Sequence, residues 1–348
     1  MSRINPDYFL KTFGPRAAHF LMEDPAGVRL YNKVLKVKGC HISLIGQPDS
    51  GKTRKMHWLA TWLKELETIV WIDSCKDEEV GPLFFMGKPI NIVIPTGMKI
   101  EIKNLGTDYT VREAFLPDQF WDLVDPDKIN IFSIRNYFFD ERERSRFYAK
   151  LFRALAIRSS EEWFRDIKGI KRMSVFIDEA QRIVPSTSFS HEPEALAVAQ
   201  DVTANLLEMR AYGVRLIMGT QDYMNVYPAA RRNMPARIFC HGAVVKSDES
   251  RTMHRLAEYS QNYAKWEGLL VFPDGDYYPR TCPWKFPDFP KPKGARIRYL
   301  RKVDRPLPKD EIEQESLPDM GLYHDRVIEP EQDRTVAPSR YDIAAGDT

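Results

Sequence analysis

A short glycine-containing stretch near the start of the chain carries residue types suited to binding phosphate. Residues 46–53 read GQPDSGKT, with two glycines followed by a lysine and a threonine. This is the spacing of a P-loop, in which backbone N–H groups surround phosphate oxygens, the lysine reaches the β- and γ-phosphates, and the hydroxyl group binds Mg²⁺. The alternative is an ordinary glycine turn between a strand and a helix. The candidate nucleotide-binding residues are Gly46, Gln47, Pro48, Asp49, Ser50, Gly51, Lys52 and Thr53.

An acidic pair supplies the second candidate for chemistry. In the segment MSVFIDEAQRIVP, residues 173–185, an apolar strand over 174–177 ends at Asp178 and Glu179. Open α/β sheets bind their ligands at the carboxyl ends of the strands, although such a pair could also simply cap the strand. With a P-loop upstream, the pair indicates nucleotide hydrolysis. Asp178 and Thr53 are the predicted Mg²⁺ ligands, and Glu179 is predicted to orient and deprotonate the attacking water.

A polar residue ends one further predicted strand. Residues 214–221 read VRLIMGTQ, so the apolar run closes on Gln221. This side chain could simply satisfy backbone groups of the following loop. Given the two motifs before it, we favour a sensor whose amide contacts the γ-phosphate or the attacking water.

Hydrophobic patterning predicts the elements that position these residues. Apolar strands at 42–45 and 69–75 flank the first helix, which gives a βαβ unit. The segment 80–128 is predicted to be an insertion or a lid that contains a hairpin around residues 95–97. Further predicted elements are a strand at 129–134 and helices at 140–160 and 195–213. The buried face of the first helix is assigned to Met56, Leu59, Trp62, Leu63 and Leu66, and that of the helix at 140–160 to Phe147, Leu151, Leu155 and Ala156.

Composition limits the class of protein. With 348 residues, 43% of them hydrophobic, the chain can build one large α/β domain with appendages or two smaller domains. Its 51 basic and 49 acidic residues nearly cancel, so an anionic partner must be met by local patches of charge. The four cysteines form no C-x-x-C pair, and no segment approaches the roughly 20 apolar residues of a membrane span. We therefore expect a globular, cytoplasmic protein in a reducing environment.

The chain is predicted to comprise three parts: an N-terminal helix and connector over 1–37, a nucleotide-binding core over 38–283, and a Pro-rich tail over 284–348. Beyond Pro306 the tail becomes acidic, and we expect it to be partly disordered or to dock a protein partner. The preceding basic arm could contact a phosphate backbone or a neighbouring subunit, or could lie as a strap over the core. Its basic residues are Lys285, Lys291, Lys293, Arg296, Arg298, Arg301, Lys302 and Arg305.

Four successive segments read GQPDSGKT, VFIDEAQ, MRAYGVRLIMGTQ and NMPARIFCHGAVVKSDESRTMHRLAE. Together they resemble the HerA/FtsK superfamily of P-loop DNA-pumping ATPases, over roughly residues 38–275. The resemblance implies a RecA-like core with a mainly parallel sheet flanked by helices, ATP and Mg²⁺ as cofactors, and a homohexameric ring around double-stranded DNA. It also implies an arginine supplied by the adjacent subunit, for which Arg210, Arg237 and Arg251 are the candidates.

Viral genome packaging is the setting that the resemblance favours, because only about 40 residues precede the first strand and no barrel or membrane region is evident. The protein would then work in the host cytoplasm and in the virion, and its tail would dock a portal or capsid vertex. Conjugation and secretion ATPases share the same chemistry. A nucleotide-switched assembly protein without DNA pumping is the hypothesis from another class.

The glycine loop departs from this resemblance at two positions. Pro48 and Asp49 stand where the superfamily usually has Thr-Gly, so the Asp49 carboxylate must point away from the phosphates or be neutralised.

DNA contacts are predicted after Gln221, with the basic arm as the alternative. The residues chosen for these contacts are Arg231, Arg232 and Lys246.

Overall fold

The structure is a computed structural model that describes residues 25–73, 79–103, 107–134, 137–138, 140–247, 250–265, 267–275, 277–278, 284–285 and 296–302. Residues up to Val303 form one compact unit. The second unit, Asp304–Thr348, contains the predicted acidic tail and lies outside the described residues. Residues 1–24 of the predicted N-terminal connector also lie outside them.

Strands and helices both contribute to the buried core. The described strands are β1 Ile42–Ile45, β2 Thr68–Asp73, β3 Ile90–Pro95, β4 Met98–Lys103, β5 Tyr109–Ala114, β6 Ile129–Ser133, β7 Met173–Ile177, β8 Val214–Thr220, β9 Ala236–Cys240, β10 Glu267–Val271, β11 Tyr277–Tyr278, β12 Trp284–Lys285 and β13 Arg296–Lys302. The α-helices are α1 Pro25–Leu30, α2 Lys52–Leu63, α3 Gln119–Asp122, α4 Glu141–Ser160, α5 Pro193–Ala211, α6 Pro228–Arg232 and α7 Arg251–Ser260.

The central sheet is mainly parallel. Its strands are hydrogen-bonded in the order β9-β1-β8-β7-β2-β6-β3-β5, and every neighbouring pair in this series is parallel. On the other side of β9, β10 is antiparallel and in turn pairs with β11 and β12. The predicted fold class, an α/β core of RecA-like type with a mainly parallel sheet, is confirmed. Strand β8 lies between β1 and β7, so the strands that precede the two sequence motifs are separated by one strand.

Helices cover both faces of this sheet because its strands are apolar on both sides. Val70 and Ile72 of β2 belong to the buried cluster that includes residues of α4 and α5. Trp71, between them, stacks on His57 of α2 with 5.0 Å between ring centroids. Successive side chains of a strand point to opposite faces, so α2 lies on the face opposite α4 and α5. Burial lowers the pKa of His57 to about 4, which keeps its ring neutral at pH 7 within this apolar layer.

The first helix is buried on more than its predicted face. Met56, Leu59, Trp62 and Leu63 are buried as predicted, but Leu66 lies beyond the end of α2 and is partly exposed. The side chains that are buried in addition are Lys52, Lys55, His57, Trp58 and Ala60. An apolar stripe identified by period alone therefore underestimates the burial of a helix that is covered from several directions.

Helix α4 follows the predicted pattern more closely. Phe147, Leu151 and Leu155 are buried, whereas Ala156 is only partly buried at the margin of the same cluster. Asp140 caps the helix by accepting a hydrogen bond from the Glu143 N–H at 2.7 Å. The charged first turn is thus explained by capping and solvation.

The predicted hairpin around residues 95–97 is wrong. A turn does connect β3 to β4, but β3 pairs with β5 and β6 in the central sheet, while β4 pairs antiparallel with β13 in a separate two-stranded sheet. All six residues of β3 are buried, which is typical of a strand with parallel neighbours on both sides. The segment 80–128 therefore extends the main sheet through β3 and β5. Two pieces of the predicted basic arm, β12 and β13, pair with β10 and β4, as the strap alternative expected.

A buried arginine ties the amino-terminal ends of the strands together. Arg215 of β8 is 0% exposed and forms a salt bridge with Glu67, which is also 0% exposed at its side chain, with 2.9 Å between Nη2 and Oε1. Its guanidinium also donates to four carbonyl oxygens of the segment before β1. The acceptors are the carbonyl groups of Val34, Leu35, Val37 and Cys40, at 2.9 to 3.1 Å.

None of the helices in the described part of the chain combines the length and apolar character that crossing a bilayer requires.

Candidate active site

The glycine loop connects β1 to α2 at the carboxyl edge of the sheet. Its backbone is attached to the ends of two neighbouring strands: Gly46 N–H donates to Thr220 O at 3.3 Å, and Gln47 N–H donates to His241 O at 3.2 Å. A Cβ on Gly46 would lie 2.7 Å from the Cβ of Cys240, so only glycine fits there. Gly51 begins α2 with φ +82°, a left-handed conformation that glycine adopts without strain. The loop thus leads directly into a helix N-terminus, which favours bound phosphate.

Two lysines place positive charge at this loop. Lys52 Nζ donates to Gly46 O at 2.8 Å and to Gln47 O at 2.9 Å. Lys55, which the sequence analysis did not single out, is buried beneath the loop and donates to Ser50 O at 3.2 Å. Burial lowers the pKa of the Lys55 ammonium group. Asp49, at the exposed tip, has φ +60° and faces solvent, in keeping with the expectation that it points away from the loop's interior.

The two predicted Mg²⁺ ligands meet in the structure. Thr53 Oγ1 donates to Asp178 Oδ2 at 2.8 Å, although the two residues are 125 positions apart in the chain. Asp178 is buried, and its Oδ1 accepts the N–H of Glu179 at 3.0 Å. A hydroxyl and a carboxylate fit Mg²⁺, which prefers oxygen ligands and is usually held by one or two protein groups together with substrate phosphates. In line with this sparse donor set, the described residues contain no group of three or more His, Cys, Asp or Glu side chains placed to hold a metal.

Glu179 lies beside this pair in a strained backbone conformation. Its φ of 56° and ψ of 49° are left-handed, which is uncommon for a residue other than glycine and is found most often at functional sites. Both carboxylate oxygens accept hydrogen bonds from amides. Gln221 Nε2 donates to Oε1 at 2.7 Å, and Gln181 Nε2 donates to Oε2. The structure therefore brings Gln221 to Glu179, as its place at the end of β8 predicts, and adds Gln181.

Gln181 was missed by the sequence analysis. It follows Glu179 by two residues, within the short turn Ala180–Arg182, and is 4% exposed. The only sequence signal is its place in the string DEAQ, because its partner Thr220 is 39 residues away. That partner could be identified only from the arrangement of β7 and β8 side by side.

The three candidate arginines lie apart from the four side chains that meet here. Arg210 is exposed near the end of α5, where its backbone packs against Gly39, before the start of β1 and thus at the edge opposite the glycine loop. Arg237 is half-buried on β9 and donates to Arg231 O at 3.2 Å. Arg251 is the exposed first residue of α7. Their assignment to a site on a neighbouring subunit stays a prediction.

One of the predicted DNA contacts does not suit that role. Arg231 is 3% exposed, donates to Tyr223 O at 3.2 Å, and lies over the Tyr223 ring at 5.0 Å from its centroid. It fastens α6 to the loop after β8 and cannot reach a polyanion from this position. Arg232 and Lys246 are exposed in the segments that follow β8 and β9. These two residues therefore remain the candidates for DNA contact.

The strand order, the glycine loop and the acidic residues define a P-loop nucleoside triphosphatase of RecA-like fold. Its phosphate-binding loop and its acidic pair follow β1 and β7, and the strand between them, β8, delivers the polar side chain of Gln221. Such a site at the carboxyl ends of parallel strands is where open α/β sheets bind their ligands.

Comparisons with known proteins gave structural neighbours only. No family model matches the sequence, and no curated protein matches it. The genome-packaging NTPase B204 of Sulfolobus turreted icosahedral virus 2, in complex with AMP, is 16% identical, with 68% of this chain and 94% of that chain covered and a TM-score of 0.42. The cytoplasmic domain of the type VII secretion ATPase EccC of Thermomonospora curvata is 14% identical over 70% of this chain and 24% of its own, with a TM-score of 0.42.

A third neighbour is the pCW3 conjugation coupling protein TcpA with ATPγS, which is 14% identical over 68% of this chain and 58% of its own, with a TM-score of 0.36. Likenesses this distant carry no argument about the reaction. The assignments that follow rest on the residues of this chain.

Proposed function

We propose that this protein hydrolyses ATP and uses the energy to translocate double-stranded DNA through a homohexameric ring. The observation that carries the proposal is the meeting of four side chains from three strand ends: Thr53 with Asp178, and Glu179 with Gln221. The first pair provides oxygen ligands at the end of a phosphate loop, and the second provides a base with an amide beside it.

Each residue has a defined part in hydrolysis. Lys52 would hold the β- and γ-phosphates, and Thr53 and Asp178 would hold Mg²⁺, which supplies charge neutralisation on the phosphate oxygens. Glu179 accepts a proton from the water that attacks the γ-phosphorus, while the bond to the β–γ bridging oxygen breaks and ADP leaves. Gln221 contacts the Glu179 carboxylate and lies where an amide can sense the attacking water.

DNA is the proposed polymer that the ring translocates. The reasons are the resemblance of the four sequence segments to DNA-pumping ATPases and the local basic charge. With a formal net charge of +2, the chain can hold a polyanion only through clustered lysines and arginines. Arg232 and Lys246 are exposed in the segments of the chain that follow β8 and β9. Viral genome packaging is the proposed setting, in host cytoplasm and virion, with the acidic tail docking a portal or capsid vertex.

DNA should stimulate ATP turnover and bind through its phosphates. We expect hydrolysis by the purified chain to rise on addition of duplex DNA, and the affinity for DNA to be independent of sequence and to fall with salt. Replacing both Arg232 and Lys246 by alanine should abolish the stimulation and leave basal hydrolysis intact. Each lost phosphate contact should lower the slope of log affinity against log salt by about 0.9. Hydrolysis assays and fluorescence anisotropy across a salt series measure both quantities.

A matched control is Arg153→Ala, which removes an exposed arginine from α4 on the face of the sheet. It should leave the stimulation and the salt slope unchanged. Duplex DNA that neither binds at low salt nor changes turnover contradicts translocation, and the function then becomes that of a nucleotide-switched assembly protein. Stimulation by single-stranded DNA or by a protein substrate, with no response to duplex DNA, would instead favour a conjugation or secretion ATPase.

The ring predicts a site shared between subunits. If Arg210, Arg237 or Arg251 completes the neighbour's site, a variant that lacks that arginine should be inactive alone, as should Lys52→Ala. Mixing the two variants should restore activity. Where they are neighbours, the arginine-less subunit supplies Lys52 and the Lys52→Ala subunit supplies the arginine, so that one site is complete. In an equal, random mixture about a quarter of the interfaces are complete in this way, since ring interfaces are head-to-tail. Hydrolysis is measured over a series of mixing ratios.

The control mixture combines Lys52→Ala with Glu179→Gln. Both side chains belong to the same subunit's site, so no interface regains a complete set and activity should stay at zero. Arginine variants that stay inactive in every mixture, or that retain activity alone, remove the arginine in question from a shared site.

A further inference from the structure

We infer that Gln181, oriented by Thr220, is a positioning residue for the Glu179 carboxylate. This inference rests on the proposed function, because it assigns a role in the hydrolysis that Glu179 is proposed to perform. Gln181 gives the Glu179 carboxylate a second amide contact, besides that of Gln221. It also connects Glu179 to Thr220, the last residue of β8.

The orientation of the Gln181 amide follows from its two neighbours. An ionised carboxylate only accepts hydrogen bonds, so the atom that faces Glu179 Oε2 must be the amide nitrogen of Gln181. The amide oxygen then faces away, and Thr220 Oγ1 donates to it at 2.9 Å. The amide cannot rotate by half a turn without placing its oxygen against the carboxylate. The Thr220 hydroxyl therefore keeps the donating end of Gln181 on Glu179.

These contacts close a loop of hydrogen bonds through Thr220, the last residue of β8, and Gln221, the residue that follows it. Gln221 contacts Glu179 directly, and Thr220, the residue before it, contacts Glu179 through Gln181. Glu179 is 6% exposed and Thr220 is 3% exposed, so the bonds through Gln181 are largely shielded from water, whereas Gln221 is exposed. In such surroundings hydrogen bonds are electrostatically stronger than in water and polarise one another.

The arrangement controls where the carboxylate points. Glu179 sits on a left-handed backbone, and neither of its oxygens has an N–H donor from the glycine loop among the hydrogen bonds described. The amide pair is thus what fixes its side chain. The Thr220 hydroxyl also lies 2.9 Å from Asp222 O, and it has one proton for the two acceptors. A shift of the loop after β8 that favours Asp222 would weaken the hold on Gln181, and through it the hold on Glu179.

The first test removes the amide while keeping the volume. Gln181→Leu should lower kcat for ATP hydrolysis by about 10- to 100-fold, because a displacement of a catalytic group by about 1 Å has effects of this size. The KM for ATP and the dissociation constant of a non-hydrolysable analogue should change by less than about 3-fold, since Lys52 and the loop are untouched. Thr220→Val should lower kcat in the same direction, and Thr220→Ser, which keeps the hydroxyl, should restore it.

The second test uses the pH profile, which reports whether the side chain at position 181 lies against the proposed base. Gln181→Glu places a second carboxyl group against Glu179, and two carboxylates that share a site bind one proton more tightly. The acid limb of the kcat profile should move upward by about 1 to 2 pH units. The matched control is Gln200→Glu, on an exposed position of α5, which should leave the profile unchanged.

Three results would overturn the positioning role while leaving the proposed function intact: normal kcat in Gln181→Leu, an equal loss of kcat in Thr220→Ser and Thr220→Val, or an unshifted pH profile in active Gln181→Glu. A fall in kcat accompanied by an equal fall in nucleotide affinity or by a lower Tm in thermal unfolding would also overturn it, since that is the result of general damage. Absence of ATP turnover by the unsubstituted chain overturns the proposed function, and the positioning role with it.

Discussion

Glu179→Gln is expected to lower kcat for ATP hydrolysis by about 10²- to 10⁴-fold, the range for loss of a general base, while ATP still binds. The substitution keeps the shape of the side chain but removes its ability to accept a proton from water. Nucleotide affinity should survive because the groups proposed to hold phosphate and Mg²⁺, Lys52 and Thr53, bond to Gly46 O and to Asp178 and are unchanged. Single-turnover hydrolysis and equilibrium binding of ATP, measured separately, test the two halves of this expectation.

The surroundings of Glu179 sharpen the experiment. In Glu179→Gln, three amides meet where one carboxylate accepted two N–H donors, so at least one hydrogen bond must be rearranged. Thermal unfolding should also be recorded, because it separates the destabilisation caused by this rearrangement from the loss of the catalytic base. Glu208→Gln, at an exposed position of α5, is the matched control and should hydrolyse ATP normally. Turnover within about 3-fold of the unsubstituted chain in Glu179→Gln would remove it as the base.

The part of the site that could be predicted from sequence is the part encoded by neighbours in the chain. Residues 46–53 specify their own loop, because the glycines, the lysine and the hydroxyl act through local backbone geometry. Asp178 and Glu179 follow an apolar strand directly, so their place at a strand end is also local. The structure then places Thr53 Oγ1 2.8 Å from Asp178, which is the contact that the two motifs together predict.

The contacts that were missed depend on strand order. Gln181 meets Thr220 and Arg215 meets Glu67 only because β7, β8 and β2 lie close together in the sheet. Short apolar strands of similar composition do not specify which neighbours they pair with, so side-chain contacts between positions 39 or 148 residues apart cannot be predicted from local pattern. The sequence shows which polar residues are available, but it does not show which of them contact one another.

The hairpin prediction was wrong for a similar reason, because local sequence does not specify strand pairing. The sequence nevertheless contains a pattern that argues against the hairpin. The turn at 95–97 was identified correctly, but a turn does not decide whether its flanking strands pair with each other. The run INIVIP of β3 is continuously apolar, which is typical of a strand between parallel neighbours, whereas MKIEIK of β4 alternates as a half-exposed strand does. That difference in pattern argues against a simple hairpin, because the two strands need different surroundings.

Arg215→Met is expected to destabilise the protein by about 3–5 kcal/mol, the range for removing one partner of a buried ion pair. Arg215 and Glu67 are both 0% exposed at the side chain, so the substitution leaves a carboxylate in the interior without its guanidinium. It also removes the guanidinium donor from the carbonyl groups before β1, among them those of Leu35 and Cys40. Denaturant unfolding, with ΔG extrapolated to water, measures the change.

The matched control is in the same cluster. Arg172 also faces Glu67 Oε1, at 3.4 Å, but its side chain is 28% exposed. Arg172→Met should cost only about 1 kcal/mol, because solvent screens the Arg172 charge and Arg215 still neutralises Glu67. Adding Glu67→Leu to Arg215→Met should recover part of the lost stability, because the unpaired charge is removed together with its partner. Two results would show that the destabilisation does not arise from an unpaired buried charge. One is an equal decrease in the free energy of unfolding in Arg215→Met and Arg172→Met. The other is a further decrease when Glu67→Leu is added to Arg215→Met. The segment before β1 would then be held in place chiefly by its own apolar contacts, Val34 and Leu35 both being buried.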